Sequence, residues 1–301
     1  MRIALTGGTG FVGAHVIDAA LAAGRQVTAL TRRAQPGRDG LTWVAGDLAD
    51  AGALAHLVEG ADAVIHVAGV LKARDAAGFA EGNVEGTEAV LAAAERAGTM
   101  RLVHVSSLAA REPQLSLYGA SKATAEALVE QAELDWAIVR PPAVYGPGDK
   151  ETLDLFRMAK RGLIFMPPAG RVSLIHVDDL ARLLLALAAP DAPPSLLLEP
   201  DDGRSGGWTH RQFGDALAKA VGVPARTVST PRPLLELASR LDRALRGDGA
   251  KLTRDRVDYF CHPDWVARSD RAPPRDLWQA QIATEQGLKQ TADWYRAADW
   301  L

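Results

Sequence analysis

Met1-Arg-Ile-Ala-Leu-Thr-Gly-Gly-Thr-Gly-Phe-Val-Gly13 opens the chain and decides its fold. The apolar stretch Arg2–Leu5 predicts a short buried strand, and the glycine-rich stretch Thr6–Gly10 predicts a tight turn. Apolar residues then recur at helical spacing as far as Leu21. A helix entered through such a turn presents unpaired backbone N–H groups, and its dipole favours an anion. The stretch therefore predicts a phosphate site.

The glycines Gly7, Gly10 and Gly13 are three residues apart, a GxxGxxG pattern rather than GxGxxG. Taken alone the pattern is weak, since a glycine-rich turn without a ligand explains it too. Val27–Leu30 predicts a second strand after the helix, which places the motif at the start of a βαβ unit. In such a unit, glycines let a pyrophosphate touch the backbone and let the helix lie close to the sheet. This context favours a nucleotide site.

Composition narrows the class of protein. A chain of 301 residues is long enough for one large domain or two modest ones. Its net charge of −3 shows no basic footprint, so we expect neither nucleic acid nor membrane as a partner. The lone Cys261 excludes an intramolecular disulfide and fits a reducing compartment, and the N-terminus shows no signal peptide, so we expect a cytoplasmic protein. The histidines show no metal-ligand spacing, so no metal is expected.

Strands and helices alternate through the first two thirds of the chain. After the first unit the patterns predict strands at Thr42–Val44, Ala61–Val67, Arg101–Val105, Trp136–Val139 and Val172–Val177, and helices at Ala80–Ala97 and Tyr118–Ala132. This spacing predicts a doubly wound parallel sheet, an α/β fold, with its ligand at the carboxyl ends of the strands. The residues expected to line that crevice all follow strands, namely Gly7, Asp47, Ala68, Ser107 and Pro141.

The last third is looser and mostly helical. Patterns there predict helices near Thr209–Val221, Leu234–Ala244 and Thr284–Ala298. We therefore predict a dinucleotide-binding domain over residues 1–190, with residues 140–171 partly on the substrate side. A smaller substrate-binding or lid region is predicted over residues 191–301.

A tyrosine and a lysine lie four residues apart, at Tyr118 and Lys122, and so share one face of the predicted helix. An unperturbed tyrosine has a pKa of about 10, and a neighbouring ammonium favours phenolate and lowers that pKa. The pair is common by chance, but here it opens a helix that follows a strand ending in Ser106-Ser107. Without Tyr118 and Lys122, serines that merely end a strand would be the better interpretation.

The end of the second strand bears on the cofactor. Enzymes that use NAD typically present a carboxylate there to the ribose 2′-hydroxyl. Here Thr31 is followed by Arg32 and Arg33, and the next carboxylate is Asp39. Guanidinium groups suit the 2′-phosphate of NADP, although solvated loop charge explains them too. We expect NADP(H), with NAD(H) as the alternative.

Several segments resemble the extended and atypical short-chain dehydrogenase/reductases, a superfamily of NAD-dependent epimerase/dehydratase-like proteins. They are TGGTGFVG (6–13), NVEGT (83–87), YGASK (118–122), RPPAVYGPG (140–148) and IHVDDLA (175–181). The dihydroflavonol-reductase-like and 3β-hydroxysteroid-dehydrogenase-like branch is nearest. The resemblance implies a Rossmann-type fold and an oxidoreductase. It also implies that Tyr118 protonates a carbonyl oxygen, Ser107 or alternatively Ser106 orients it, Lys122 tunes the acid, and the nicotinamide delivers hydride.

The resemblance also assigns residues that the local pattern leaves open. It places Asp47 against the adenine, whereas the sequence alone favours Asp47 as the cap of the next helix. It gives Asn83 a role in supporting the active site, whereas a helix-start asparagine is equally plausible from the sequence alone. The full cofactor-binding set predicted is Gly7, Thr9, Gly10, Phe11, Val12, Gly13, Arg32, Arg33, Asp47, Leu48, Val67, Ala68, Gly69, Asn83, Tyr118, Lys122, Pro141 and Val144.

Three functions compete at this stage. The first is an NADP(H)-dependent carbonyl reductase or alcohol dehydrogenase acting on a small, apolar carbonyl compound. The second is a nucleotide-sugar epimerase or dehydratase with retained NAD, against which Val172-Ser-Leu174 weighs, since the family's sugar-nucleotide members usually carry Arg-Asp-Phe there. The third is a non-catalytic dinucleotide-binding subunit. A homodimer through the helices at Asn83–Ala97 and Tyr118–Ala132 is a further expectation from the family.

Overall fold

The structure, a computed structural model, describes residues 1–247, 250 and 252–301. The strands are β1 Arg2–Thr6, β2 Gln26–Thr31, β3 Leu41–Ala45, β4 Ala63–His66, β5 Arg101–Val105, β6 Asp135–Val139, β7 Ala143–Tyr145, β8 Leu163–Met166, β9 Arg171–Val172, β10 Leu174–His176, β11 Leu196–Leu198, β12 Trp208–Thr209, β13 Arg226–Ser229 and β14 Asp264–Trp265. The α-helices are α1 Phe11–Ala22, α2 Ala51–Val58, α3 Ala76–Phe79, α4 Gly86–Ala97, α5 Leu117–Gln131, α6 Leu153–Lys160, α7 Val177–Leu187, α8 His210–Val221, α9 Arg232–Arg246, α10 Arg254–Phe260 and α11 Thr284–Ala297.

Seven strands form one sheet in the order β11-β6-β5-β4-β1-β2-β3, with every neighbouring pair parallel. Every residue of the central strands β4 and β5 is buried, as expected for a sheet covered by helices on both faces. On one face, α2 and α4 pack through Leu54, Leu57 and Val90. The predicted doubly wound parallel sheet is confirmed. The strand order reverses at β1, so the ligand crevice is expected between the ends of β1 and β4.

The chain divides into two compact units, each made of three stretches. The first unit comprises Met1–Pro141, Asp178–Glu199 and Arg271–Gln279, and it holds the seven-stranded sheet. The second comprises Pro142–Val177, Pro200–Asp270 and Ala280–Leu301. Helices and small sheets of two or three strands build the second unit around buried residues such as Phe156, Leu217 and Tyr295. The sequence prediction places its boundary at residue 190, with residues 140–171 partly on the substrate side, and the second unit includes Pro142–Val177.

Two elements differ from their predicted form. The helix predicted over Ala80–Ala97 begins earlier, at Ala76, and passes through a π-helical turn at Ala80–Glu85. Asn83 is therefore inside a helix and not at its start. The strand predicted over Val172–Val177 is broken at Ser173. The backbone N–H of Ser173 donates to the Trp265 carbonyl (3.0 Å), and its hydroxyl donates to Asp201 (2.7 Å).

Within the described residues, no helix has both the length and the apolar character needed to cross a bilayer.

Candidate functional site

The glycine turn between β1 and α1 is packed so closely that side chains do not fit. Gly7 has a positive φ of 74°, and a Cβ added there would lie 2.7 Å from the amide nitrogen of Ala68. A Cβ at Gly13 would lie 2.1 Å from the carbonyl oxygen of Gly7. No side chain caps α1 at Gly10, so the first-turn N–H groups are available to an anion. This cradle fits the pyrophosphate of a dinucleotide, with Thr9, Phe11 and Val12 in the same turn.

Arg32 and Arg33 follow directly after β2, the neighbour of β1 in the sheet, and both side chains are exposed. The Thr31 hydroxyl donates to the Arg33 carbonyl (2.6 Å), which shapes the turn that carries them. Two guanidinium groups therefore lie beside the strand whose end carries the glycine turn, as an anionic group on a nucleotide ribose would require.

The turn after β3 shows that the capping role predicted for Asp47 is wrong. Asp47 does not cap the next helix. That cap is Asp50, whose carboxylate accepts from the Ala53 N–H at 2.9 Å. Asp50 immediately precedes the helix, whereas the exposed Asp47 carboxylate accepts from the Ala49 N–H (3.0 Å) in a local turn. Leu48 packs on α4, where a Cβ added at Gly86 would meet it at 2.6 Å.

Asn83 joins the loop after β4 to the helix that carries Tyr118. Its side chain is buried, accepts from the Val70 N–H (2.7 Å), and donates to the Val70 carbonyl (3.1 Å) and to the Ser121 hydroxyl (2.9 Å). The loop itself contains Val67, Ala68 and Gly69. Asn83 is thus a bridge and not a helix-start cap, and the π-helical turn places it there.

Two short 3-10 turns, Leu108–Arg111 and Pro113–Leu115, connect β5 to α5. Ser116 caps α5 by accepting from the Gly119 N–H at 2.9 Å, so Tyr118 lies in the first helical turn. Across this loop the hydroxyl of Ser107 lies near enough to the phenol of Tyr118 to lower its pKa. The Ser106 hydroxyl is buried and has no hydrogen-bond partner among the described residues. The geometry therefore joins Tyr118 to Ser107 rather than to Ser106.

The charges at this site are governed by burial. Burial raises the pKa of Tyr118, and the Ser107 hydroxyl offsets only part of that rise. The lowering of the phenol pKa that the Tyr–Lys spacing suggests is therefore not found. Burial also lowers the pKa of Lys122 to about 8, opposed by the charge of Glu126 one turn further along α5. The ammonium of Lys122 donates to the Val105 carbonyl at 2.8 Å.

Sequence patterns did not predict a chain of hydrogen bonds that runs through His66. The Ala68 N–H donates to the Thr6 hydroxyl (3.1 Å), which pairs with Nδ1 of His66 (2.6 Å). Nε2 of His66 pairs with the Thr87 hydroxyl (3.1 Å), which donates to the Asn83 carbonyl (2.6 Å). Burial, helped by the charge of Lys122, lowers the pKa of His66 to about 3, so the ring is neutral. The only sequence signal was a histidine ending an apolar strand.

His104 is a second buried imidazole beside this chain. Its ring lies 5.3 Å from that of His66, centroid to centroid. Burial, the charge of Lys122 and the charge of His66 lower its pKa well below the ordinary value. Neither ring nitrogen has a hydrogen-bond partner within the described part of the chain. Because both imidazole rings are neutral, the charged group among His66, His104 and Lys122 is the ammonium of Lys122.

A buried ionic network holds the far side of α5. Arg140, which follows β6, donates to both carboxylate oxygens of Glu126 (2.9 and 2.6 Å) and lies 3.5 Å from Glu199 at the end of β11. Arg111, at the end of the first 3-10 turn, lies 3.4 Å from the other oxygen of Glu199. The network ties α5 and the Ser107 loop to two strands. Sequence patterns do not reveal it, since its members lie up to 88 residues apart.

The remaining predicted residues fall in both units. Pro141 follows β6, and its carbonyl accepts from the Leu108 N–H at 3.1 Å, next to Ser107. Val144 lies in β7 of the second unit and pairs with Ile175 of β10. Among the residues that the structure describes, no three His, Cys, Asp or Glu side chains group as metal ligands would.

Comparison with known proteins now adds to this geometry. The model of the NAD dependent epimerase/dehydratase family matches residues 3–196. The chain belongs to this family. The resemblance inferred from the motifs is confirmed, and the protein is an NAD(P)-dependent enzyme of the oxidoreductase and epimerase class on an NAD(P)-binding Rossmann fold.

Two relatives match over nearly their whole length. Ceramide reductase of Caulobacter vibrioides (strain NA1000 / CB15N) is 39% identical, over 99% of this chain and 96% of the relative. The 2-alkyl-3-oxoalkanoate reductase of Stenotrophomonas maltophilia (strain K279a) is 30% identical, over 96% of this chain and 98% of the relative. The solved structure of MoeE5 in complex with UDP-glucose and NAD superposes with a TM-score of 0.74 over 99% of each chain. At 23% identity, that structure supports the fold alone.

Proposed function

We propose that this protein is an NADP(H)-dependent reductase that converts a ketone on a long-chain apolar substrate into an alcohol. The observation that carries the proposal is the approach of the Ser107 hydroxyl to the Tyr118 phenol, whose pKa it lowers, with the buried Lys122 one turn along the same helix. A hydroxyl, a phenol and an ammonium in that order suit proton transfer to a carbonyl oxygen.

Each side chain has a distinct part in this reaction. Ser107 and Tyr118 both bind the carbonyl oxygen, which orients the ketone. Tyr118 gives its proton to that oxygen, and Lys122 stabilises the phenolate that results. NADPH, when bound, supplies the hydride. Because burial raises the pKa of Tyr118, the phenol stays protonated at neutral pH, which is the state needed in the direction of reduction.

Arg32 and Arg33 support NADP(H) over NAD(H). They occupy the turn after β2 where NAD enzymes present a carboxylate, and both are exposed to a ligand. Charge-assisted hydrogen bonds to a phosphate are each worth about 1.5–3 kcal/mol.

Two observations support the substrate class. Two relatives that match over nearly their whole length are named for a ceramide and for a 2-alkyl-3-oxoalkanoate, both of which carry hydrocarbon chains. The second is the sequence Val172-Ser-Leu174, which replaces the charged segment expected of sugar-nucleotide enzymes and lies partly in the broken β9–β10 region.

The test is calorimetric titration with NADPH and NADH, followed by NADPH consumption with a 2-alkyl-3-oxoalkanoate as substrate. We expect tighter binding of NADPH, and a loss of about 10–100-fold on the change Arg32→Ala/Arg33→Ala, with NADH binding unaffected. Arg38→Ala in the same loop is the matched control, since Arg38 pairs with Asp18 at 2.6 Å. Tightly retained NAD, with turnover of a UDP-sugar and no net cofactor consumption, would contradict the proposal and favour an epimerase.

A further inference from the structure

Helix α9 (Arg232–Arg246) turns its apolar side to solvent. Four leucines, spaced three or four residues apart, lie on one side of it: Leu234, Leu237, Leu241 and Leu245. Their exposed fractions are 56, 52, 55 and 84%. We call these four residues the leucine face. Among the helices of twelve residues or more in the described part of the chain, α9 separates its apolar from its polar residues most sharply.

The opposite side of α9 is the one that is buried, and apart from the half-buried Leu235 it is polar. Ser239 is the buried residue of the helix, and its hydroxyl donates to the Glu236 carbonyl at 2.8 Å. Asp242, less exposed than the leucines, accepts from the Leu252 N–H at 2.8 Å. Through Arg232, α9 also pairs with Asp258 of α10. These polar contacts anchor the helix to its own unit, and the four residues of the leucine face take no part in them.

Helix α9, which carries the leucine face, has an excess of positively charged side chains. The helix holds four arginines and two acidic residues in a chain whose net charge is −3. Both acids are paired with arginines of the helix itself, Glu236 with Arg232 (2.9 Å) and Asp242 with Arg246 (3.1 Å). Arg240 and Arg243 are exposed, and Arg240 lies next to the leucine face on the helical wheel. Long arginine side chains at such a border reach lipid headgroups while their stems cover apolar surface.

A second exposed apolar group lies just before α9 in the chain. Strands β8 and β13 form a two-stranded parallel ribbon in which Phe165 pairs with Val228. Paired residues point to the same side of a sheet, and both side chains are exposed. Two residues separate the end of β13 from α9. The apolar surface of this part of the second unit is thus larger than one helix face.

We propose that α9 docks on the surface of a lipid bilayer that contains anionic lipids, with the leucine face at the level of the acyl chains and Arg240, at the border of that face, at the phosphates. An amphipathic helix with leucines on one side and arginines on the other is the kind that lies in a membrane interface. The proposal concerns how the protein meets a membrane and goes beyond the proposed reaction. A second copy of the chain fits less well, because a self-complementary contact would bring the exposed arginines of two copies together.

The experiment is sedimentation of the full-length protein with vesicles, which needs no cofactor or substrate. Vesicles of phosphatidylglycerol and phosphatidylcholine in equal amounts are compared with phosphatidylcholine alone. We expect binding to the anionic vesicles that weakens several-fold when the salt concentration is raised. The change Leu237→Gln/Leu241→Gln should reduce the partition at least ten-fold while the helix is kept, since glutamine is a good helix former. Arg240→Gln should reduce it several-fold.

Met100→Gln is the matched control, because Met100 is also 50% exposed but lies in the loop before β5. It should sediment like the parent protein. The thermal unfolding of each variant shows that it is folded. Binding that survives the leucine changes would overturn the proposal, as would the absence of binding to anionic vesicles. A fall in molecular mass on the leucine changes, seen by analytical ultracentrifugation without lipid, would also overturn it and assign the face to a second copy.

Discussion

Two regions of the molecule break the usual rule that apolar side chains are buried and polar ones exposed. The carboxyl edge of the large sheet buries polar groups, whereas helix α9 exposes leucines. At the sheet edge, polar groups such as His66 and Asn83 are buried, and hydrogen bonds join them into a chain. On α9, leucines are exposed and a serine is buried. Burying a polar group is costly unless it is hydrogen-bonded, and exposing a leucine forgoes about 1.5–3 kcal/mol of hydrophobic stabilisation. Each departure therefore indicates a function other than folding, chemistry in one place and recognition in the other.

The largest effect we expect tests the chemistry of the sheet edge. Tyr118→Phe removes the proton donor, and positioned proton transfer contributes about 10²–10⁴-fold to a rate. We therefore expect kcat for ketone reduction to fall by that factor, with NADPH affinity unchanged in calorimetry. Tyr259→Phe, in α10 of the second unit, is the control and should turn over normally. A Tyr118→Phe enzyme with full activity would remove the phenol from the mechanism.

The next effect compares buried with exposed charge inside the first unit. Arg140→Ala leaves the carboxylates of Glu126 and Glu199 buried with less compensation, and breaking a buried pair costs about 3–5 kcal/mol. The free energy of unfolding, from urea denaturation, should fall by that amount. Arg38→Ala breaks the exposed pair with Asp18 and should cost about 0–1 kcal/mol. Equal losses for the two variants would show that the network adds nothing through its burial.

A pH effect sharpens the contrast for the buried imidazoles. The folded state holds the pKa of His66 at about 3, below the ordinary histidine value of 6.5, so the unfolded chain takes up the proton first as the pH falls. The stability this contributes is complete above about pH 6.5 and is lost between there and about pH 3. His66→Gln should therefore lower the slope of unfolding free energy against pH by about 1.4 kcal/mol per pH unit in that range. An unchanged slope would mean that His66 is protonated in the folded protein.

The smallest effect belongs to α9. Leu241→Gln should change the free energy of unfolding by less than about 0.5 kcal/mol, because the side chain is exposed. The fully buried Leu217 of the same unit should cost about 2–5 kcal/mol when changed to alanine. Urea denaturation of both variants makes the comparison. A large loss at Leu241 would show that the leucine face is part of the folded core and unavailable for docking.

Local patterns predicted the architecture well. Strands and helices of the first two thirds lie within a few residues of their predicted ends, since apolar periodicity reports burial directly. Asp47 was predicted wrongly as a cap because two aspartates, Asp47 and Asp50, precede α2 and only the backbone shows which of them adjoins the first helical residue. Asn83 was misplaced because the helix begins at Ala76, four residues before its predicted start at Ala80, and includes a π-helical turn around Asn83.

The sequence by itself determined the βαβ start, the parallel sheet, and the positions of Gly7, Tyr118 and Lys122, because each depends on neighbours within a few residues along the chain. The net charge of the chain led us to expect no membrane partner. Net charge sums over the whole chain, so it does not report the charge on one face of one helix. Tertiary structure alone decided which serine meets Tyr118, which way the tyrosine pKa moves, and which carboxylates hold Arg140. It also decided that α9 buries its polar side. Hydrogen bonding, desolvation and burial depend on residues far apart in sequence, and only the folded chain brings those residues together.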